Sequence, residues 1–360
     1  RSRNLDYISQ NLINLTNQTP AKRIFEALNT YSESSEVRYV GGCIRKIIKK
    51  EIVDDIDLAT NLKPSEVCDA LKKKDINYYE TGIEHGTITA IIDEFKYEIT
   101  SLRKDVSTDG RHAKVEFSSD WKEDAARRDF SINSIYSDKN GNLFDPYNGK
   151  KDLESGNINF IGDSENRIKE DYLRILRYVR FFINYSNQSH DLNIIKKKKK
   201  NIGGVSKLSS ERLLDEFKKL TKSNAFLKIF NDKVSLELIE IIFPQLKNLE
   251  NFKKLNSYAL DNLSKVDFIF LLSLLIVDGT DNTDYFLYKF NISKKDQKRL
   301  KSINFFYKEN ISIKNLNKIF YYNGKQTVID IINYKLFISP KFETQPVYVF
   351  TFLITLRSWV

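Results

Sequence analysis

Two aspartates separated by one residue have the types and the spacing for metal chemistry. Asp55 and Asp57 lie in Val53 to Leu58, a segment with the composition of a β-strand. Because side chains alternate between the two faces of a strand, both carboxylates are expected to point to one face. Two such carboxylates repel each other unless a cation lies between them, and Mg²⁺ combines one or two carboxylates with water and substrate phosphates. The pair therefore predicts a magnesium site that also receives a phosphate chain.

The residues before this pair predict how the phosphates are held. Val37 to Val40 has the composition of a short strand, and Gly41 and Gly42 interrupt it. Ile44 to Lys50, which contains Arg45, has the pattern of a short amphipathic helix. Glycines let the backbone approach a phosphate, and the start of the helix offers amide groups to anionic oxygens. The alternative is an ordinary tight turn followed by a surface pair of carboxylates.

A predicted β-hairpin supplies a third carboxylate. The pattern favours strands over Gly86 to Ile92 and Lys96 to Leu102, with Glu98 in the second strand. Glu98 becomes a catalytic partner of the aspartate pair if all three share one face, and is otherwise an exposed cross-strand neighbour. Residues 103 to 114 are polar and lack periodicity, so they predict a loop. Three polar side chains in it either touch a substrate or are simply solvated: Asp105, Arg111 and His112.

Glu123 to Tyr136 contains a second group of chemically capable side chains. Adjacent Arg127 and Arg128 can bind triphosphate oxygens with their guanidinium groups, while Asp129 can accept a hydrogen bond from a ribose hydroxyl. The alternative is an ordinary helix that carries an i,i+4 ion pair between Asp124 and Arg128.

Helical patterns dominate from Ser164 onward, so we predict an α+β fold with a mixed-sheet head followed by an all-helical remainder. An apolar stripe at helical spacing runs through the segment from Arg167 to Phe181 and beyond. Asp171 and Arg174 can present an acceptor and a donor to the edge of a base. The alternative is a surface ladder of ion pairs.

Together these motifs resemble a known family. The strand, Gly-Gly, helix and Asp-x-Asp arrangement resembles the DNA polymerase β-like nucleotidyltransferases. Glu170-Asp171-x-x-Arg174 narrows the resemblance to class II tRNA nucleotidyltransferases, the CCA-adding enzymes, in their bacterial form. Residues 80 to 89 look like the form found in α-proteobacteria and related organelles. The resemblance is close over residues 36 to 217, with departures at Lys46 and Ser131.

The resemblance implies template-independent addition of CCA to the 3′ end of tRNA from CTP and ATP, with release of pyrophosphate. Asp55 and Asp57 would hold Mg²⁺, with Glu98 as the third catalytic carboxylate. The implied nucleotide-binding residues are Gly41, Gly42, Arg45, Arg128, Asp129, Asp171, Arg174, Arg177 and Arg180. Of these, Asp171 and Arg174 would select the base. Arg177 and Arg180 would contact phosphates or support that pair.

The change in pattern predicts a boundary near residue 150 between the head and the helical remainder. The resemblance implies that residues 1–150 form the catalytic head, 151–225 a helical neck for base recognition, and 226–360 a helical body and tail that bind tRNA. Ser210 to Glu216 has the pattern of a capped helix start. The resemblance implies that this segment supports the helix that carries Asp171 and Arg174. Five lysines, Lys196 to Lys200, are either solvated or in contact with RNA phosphates.

Composition limits the kinds of partner and the cellular settings that fit this chain. The 360 residues carry a net charge of +10, which fits a polyanionic partner, and no apolar run approaches a membrane span. Two cysteines and no visible signal peptide indicate a reducing, cytoplasmic setting. Because methionine is absent, we expect the sequence to be part of a longer translation product.

Other functions stay open at this point. A CC-only or A-only enzyme and a bacterial poly(A) polymerase share the motifs, and the oligomeric state is either monomer or homodimer. A catalytically inactive RNA-binding module is disfavoured by the intact carboxylates. Three scattered histidines argue against the His/Asp cluster of a metal phosphohydrolase: His85, His112 and His190.

Overall fold

The structure is a computed structural model that describes residues 5–108, 113–309 and 312–339. The chain divides into two compact units, each of which is discontinuous in sequence. The first contains residues 1–174 and 185–197, and the second contains residues 175–184 and 198–360. The three-domain division at residues 150 and 225 remains a prediction.

The first unit contains a mixed sheet with helices packed on it. Its elements in chain order are α1 (Tyr7–Asn17), α2 (Ala21–Asn29), β1 (Val37–Val40), α3 (Gly42–Ile48), β2 (Ile56–Thr60), α4 (Pro64–Lys73), β3 (Asn77–Gly82), β4 (Thr87–Ile92), β5 (Phe95–Ser101), β6 (Arg103–Thr108), β7 (Ala113–Phe117), α5 (Trp121–Ala126), β8 (Tyr136–Ser137), β9 (Leu143–Phe144), α6 (Gly149–Ser155) and α7 (Ser164–Glu170).

Seven strands form the sheet in the order β3-β4-β5-β2-β1-β8-β9. Strand β2 is central: it pairs antiparallel with β1 and parallel with β5. The core on one side is built around Tyr39, whose hydroxyl hydrogen-bonds that of Thr16 in α1 at 2.8 Å and whose ring packs on Phe25 of α2. A second cluster joins β1, β2 and β8 to α5 through Val40, Ala59, Leu102, Ala125 and Tyr136. These two clusters pack helices against the central strands of the sheet. The second also holds α5, which leads into Arg127 and the residues after it.

The second unit is built from helices. Helices α8 (Leu173–Tyr185) and α9 (Leu192–Asn201) each contain residues assigned to both units. The helices after them are α10 (Ser210–Lys222), α11 (Lys233–Ile242), α12 (Ser257–Asn262), α13 (Phe268–Ile276), α14 (Asn282–Phe290), α15 (Lys294–Phe306), α16 (Ile313–Asn323) and α17 (Lys325–Ile338).

Buried side chains and one ion network hold these helices together. Leu316 and Ile319 of α16 pack against an apolar face of α17 that includes Val328 and Ile331. Arg299 of α15 donates to both carboxylate oxygens of Asp330 in α17, at 3.0 Å each, and also bonds Asp267, the N-cap of α13. Because the guanidinium of Arg299 bonds two carboxylates, it fixes three helices at one point.

The predicted α+β class is confirmed, since the last strand of the described residues is β9 and helices follow it. Within the part of the chain that the structure describes, no helix is long and apolar enough to cross a membrane.

Three local predictions were wrong. The predicted loop over residues 103 to 114 is largely the hairpin of β6 and β7, although Arg111 and His112 lie outside the described residues. Strand β2 begins at Ile56, so Asp55 precedes the strand instead of lying within it. The helix expected over the segment from Arg167 to Phe181 is divided: α7 ends at Glu170, and Asp171 has an extended backbone before α8 begins.

Candidate active site

The Gly-Gly turn has a backbone geometry that only glycine adopts readily. Gly41 has φ 72° and ψ −121°, and its amide donates to the carbonyl of Ile135 at 3.3 Å. A side chain at this φ would be strained. A Cβ added to Gly42 would lie 3.6 Å from Nη2 of Arg45, so this turn also lies close to a guanidinium group. The turn therefore brings the backbone of Gly41 and Gly42 next to Arg45 and Asn133.

Three predicted carboxylates come together at one end of β2. Asp57 is directly opposite Glu98 in the parallel register of β2 and β5, and Asp55 lies just before β2. Burial raises the pKa of Asp57 to about 6, and the negative charges of Glu98 and Asp55 act in the same direction. The positive charges of Arg128 and Arg45 oppose this shift. The carboxylates and the two arginines therefore share one electrostatic environment.

This donor set fits a magnesium ion that draws part of its shell from its substrate. Among residues 5–108, 113–309 and 312–339, no group of three or more His, Cys, Asp or Glu side chains is arranged to hold a metal. Mg²⁺ does not require such a cage, because it retains water and phosphate ligands beside one or two carboxylates. Asp55 is exposed and Asp57 is half-buried, so solvent reaches both residues. The residues present fit this mode of binding.

Arg45 and Asp129 belong to a single hydrogen-bonded chain. Arg45 donates through Nη1 to the side-chain oxygen of Asn133, and Asn133 donates through Nδ2 to Oδ1 of Asp129 at 3.0 Å. Arg45 is 8% exposed, and its Nε donates to the hydroxyl of Tyr185 at 3.3 Å. Sequence reasoning missed Asn133 and Tyr185. Asn133 could have been found from the sequence, because it lies four residues after Asp129, within reach of a side-chain hydrogen bond. Tyr185 could not, because it is distant in sequence from Arg45.

The adjacent arginines converge on Asp124. Arg127 donates through Nε to this carboxylate at 3.0 Å, and Arg128 donates through Nη2 at 3.3 Å. Arg128 also donates through Nε to the hydroxyl of Tyr136 at 3.1 Å. The i,i+4 ion pair expected under the alternative interpretation is therefore present. It does not exclude the functional interpretation, because the charge of Arg128 also acts on Asp57.

The break between α7 and α8 places the predicted base-reading residues. Asp171 caps the start of α8 by accepting from the amide of Leu173 at 3.2 Å. Arg174 donates through Nη1 to the carbonyl of Arg167 at 2.8 Å and to Glu170 at 3.0 Å. Arg167 in turn donates to the carbonyls of Arg127 and Arg128. Hydrogen bonds thus connect the segment from Arg167 to Arg174 to the backbone of Arg127 and Arg128.

Arg177 and Arg180 are assigned to the second unit. Both pair with Glu216 of α10, which is 2% exposed, and their side chains are 27% and 15% exposed. These ion pairs join α10 to α8, and the support of α8 by the Ser210 to Glu216 segment stays a prediction.

The lysine run lies at the end of α9 and is not uniformly solvated. Lys198 is fully buried, with its ammonium 2.9 Å from the ring centroid of Tyr178. Lys199 pairs with Glu237 at 2.8 Å. Exposed positions in the run include Lys196 and Lys200.

Part of the chain matches a family model, and its fold resembles solved structures. The poly A polymerase head domain family matches residues 37–159, which contain the aspartates, Glu98 and the Arg-Arg-Asp segment. A Bacillus stearothermophilus CCA-adding enzyme solved in complex with CTP has a TM-score of 0.72 at 21% identity, covering 94% of this chain and 80% of that one. A tRNA nucleotidyltransferase solved with a primer tRNA and an incoming ATP analog has a TM-score of 0.66 at 21% identity, covering 91% and 97%. At these identities the likeness concerns the fold.

Relatives in sequence then define the family. CCA tRNA nucleotidyltransferase 1, mitochondrial, from Homo sapiens is 38% identical over 249 residues, 68% of this chain and 57% of its own length. The CCA-adding enzyme of Staphylococcus haemolyticus is 32% identical over 319 residues, 87% of this chain and 75% of its own length. The chain belongs to the family of CCA-adding enzymes. It spans less than two thirds of the human and mouse mitochondrial relatives, at 57% and 61% of their lengths.

Proposed function

We propose that the protein adds C, C and A, without a nucleic-acid template, to the 3′ end of tRNA. CTP and ATP are the substrates, and pyrophosphate is released. The observation that carries this proposal is the pairing of Asp57 with Glu98 across β2 and β5, with Asp55 beside them and Arg128 acting on the same site. Membership of the CCA-adding family supports the choice of tRNA and of the two nucleotides.

The reaction joins the terminal 3′-oxygen of the RNA to the α-phosphorus of a nucleoside triphosphate. The bond from that phosphorus to the pyrophosphate oxygen breaks, and the hydroxyl proton passes to solvent. Asp55 and Asp57 would hold Mg²⁺, and Glu98 adds negative charge that favours cation binding. When bound, Mg²⁺ would lower the pKa of the attacking hydroxyl and offset charge on the leaving group.

The remaining residues orient the nucleotide. Arg128 binds phosphate oxygens, and the Gly41–Gly42 turn lets the phosphate chain approach the backbone. Asp129 accepts a hydrogen bond from the ribose while Arg45 and Asn133 hold it in place. Asp171 and Arg174 read the base edge. We assign Arg177 and Arg180 a supporting role, because both pair with Glu216.

The rest of the chain is proposed to hold the RNA. Residues 1–150 act as the catalytic head, 151–225 as the neck, and 226–360 as the body and tail. A cytoplasmic location is supported by Cys43 and Cys68, which are free thiols. Cell fractionation with an antibody would test that location.

The decisive experiment supplies tRNA transcripts that end before CCA, before the second C, and before A. Each is incubated with CTP, ATP, UTP or mixtures, and the products are sequenced. We expect completion to CCA and then arrest. Incomplete products would indicate a CC-only or A-only enzyme, and long A tails would indicate a poly(A) polymerase. Asp55→Ala should abolish incorporation while tRNA binding is retained, and incorporation by this variant would contradict the metal-site assignment.

A further inference from the structure

Asp124 in α5 is a buried carboxylate whose two oxygens accept four hydrogen bonds. Oδ1 accepts from the backbone amide of Arg103 at 3.2 Å and from Nε of Arg127 at 3.0 Å. Oδ2 accepts from Nη2 of Arg128 at 3.3 Å and from the hydroxyl of Tyr136 at 2.6 Å. The side chain is 1% exposed. Since an ionised carboxylate has about four lone-pair sites, these donors use its full capacity.

The charges around Asp124 are unequal. One carboxylate faces two guanidinium groups, so its neighbourhood retains net positive charge. Burial opposes ionisation of Asp124, but Arg128 and Arg127 outweigh it and hold the pKa of this carboxyl below its usual value. The carboxylate is therefore ionised, and the remaining positive charge lies on the arginines.

This arrangement restricts Arg128 before any substrate binds. Its Nε donates to Tyr136, its Nη2 donates to Asp124, and its guanidinium lies 5.4 Å from the centre of the Tyr136 ring. A free arginine side chain has rotamer entropy, part of which is lost when a ligand immobilises it. Fixing the side chain in advance removes that loss from the binding step.

The same carboxylate also holds a backbone amide in place. It fixes the amide of Arg103 at the start of β6, and it fixes Arg127 and Arg128, whose carbonyls accept hydrogen bonds from Arg167. The carbonyl of Arg127 also accepts from Arg174 at 3.4 Å. Of Arg127 and Arg128, Asp124 bonds only the side chains, so a change at Asp124 acts first on the proposed phosphate contact, while the backbone carbonyls keep their bonds to Arg167 and Arg174.

We propose that Asp124 is a positioning residue that pre-orients Arg128 for the triphosphate of the incoming nucleotide. The inference rests on the function proposed above, because it assumes that Arg128 binds phosphate. The inference adds Asp124 to the residues that affect nucleotide binding. Asp124 acts by orienting the side chain of Arg128 and does not touch the nucleotide itself.

The test compares Asp124→Asn with Asp69→Asn in the full chain. This substitution keeps the size of the side chain but removes its negative charge. It also places an NH₂ group among the groups that donate to Asp124 in the unaltered protein. Asp69 is a matched control, because it also accepts from a tyrosine hydroxyl and from an i,i+4 cation but lies on the exposed side of α4. The measured quantities are the Kd of CTP and the inhibition constant of cytidine, which lacks phosphates.

We expect Asp124→Asn to weaken CTP binding tenfold or more and to change cytidine inhibition less than twofold. Asp69→Asn should change neither. In an Arg128→Ala background, Asp124→Asn should weaken CTP binding less than twofold further, since its effect passes through Arg128. Equal losses for CTP and cytidine, or multiplicative losses with Arg128→Ala, would overturn the proposal in favour of a general structural role.

Tyr136→Phe provides a second variant if Asp124→Asn does not fold. It removes the hydroxyl shared by Asp124 and Arg128 and leaves all charges in place, so CTP binding should weaken about threefold. Unchanged CTP binding would count against the proposal. If the unaltered protein neither binds CTP nor extends tRNA, the proposed function itself is wrong, which is a separate result.

Discussion

At Asp57, burial and two neighbouring carboxylates act in the same direction. Glu98 lies opposite it and Asp55 two residues before it, so negative charges accumulate at one end of β2. Sites that gather like charges lower the stability of the empty protein and gain it back when a counterion binds. A cation at this site is therefore expected to stabilise the fold as well as serve the reaction.

Removing the charge of Asp57 should separate these two effects. Without divalent cations, Asp57→Asn is expected to raise the melting temperature by roughly 2 °C, as about 1 kcal/mol does in a chain of this size. Adding MgCl₂ should raise the melting temperature of the unaltered protein but not of the variant. Thermal denaturation followed by circular dichroism measures both.

Asp75→Asn is the control for this measurement, because Asp75 is exposed and its positive φ of 55° is tolerated by asparagine. It should leave the magnesium response intact. If MgCl₂ raised the melting temperature of Asp57→Asn as much as that of the unaltered protein, the assignment of Asp57 to the metal site would be wrong.

Arg174 offers a second prediction at the scale of single residues. Its guanidinium is held by the carbonyl of Arg167 and the carboxylate of Glu170, which orients its remaining donors. Arg174→Ala should reduce the preference for CTP over UTP at least tenfold, since the donor fork is lost. The measurement is kcat/KM for each nucleotide on a transcript that ends before CCA.

Lys169→Ala removes an exposed cation of α7 that pairs with Glu165 and should leave selectivity unchanged. If Arg174→Ala also left the preference for CTP over UTP unchanged, Arg174 would serve only in its ion pair with Glu170 and not in base selection.

At the scale of elements, the support of α8 by α10 depends on one buried carboxylate. Glu216 is 2% exposed and pairs with both Arg177 and Arg180. Other side chains of α8 are apolar and buried, including Leu176 and Val179. The helix is therefore held both by packing and by charge.

Glu216→Ala should destabilise the protein by about 3 kcal/mol, because it leaves two partly buried arginines without this carboxylate. Glu237→Ala removes the partner of Lys199, an ion pair whose side chains are 37% and 46% exposed, and should cost less than about 1 kcal/mol. Urea denaturation provides both values. Similar losses for the two variants would show that the Glu216 cluster does not support α8.

At the scale of the whole molecule, the net charge of +10 is expected to govern the association with RNA. Binding that releases counterions from phosphates weakens linearly in log–log form as salt increases. Raising KCl from 50 to 200 mM should weaken tRNA binding at least tenfold and CTP binding by a much smaller factor. Filter binding with labelled tRNA and CTP measures both, and a tRNA affinity that salt does not change would contradict this expectation.

Local sequence by itself determined most of the elements of the head, and it supplied the residues on which the proposed chemistry depends. The strand, Gly-Gly turn and helix were predicted within two residues, and the alternating pattern located β4 and β5. These features depend on neighbours in the chain, so their patterns carry the information. The hairpin of β6 and β7 was missed because residues such as Asp105, Val106 and Glu116 are exposed, which leaves no alternation to detect.

Only the tertiary structure decided which side chains share a site. The parallel register of β2 and β5 places Glu98 opposite Asp57, forty-one positions away, and this pairing depends on non-local hydrogen bonds. The break at Asp171 overrides a continuous helical pattern, because this residue caps α8 instead of extending α7. The sequence indicated Asp124 as half of an ion pair with Arg128, but only folding brought the amide of Arg103 and the hydroxyl of Tyr136 to the same carboxylate.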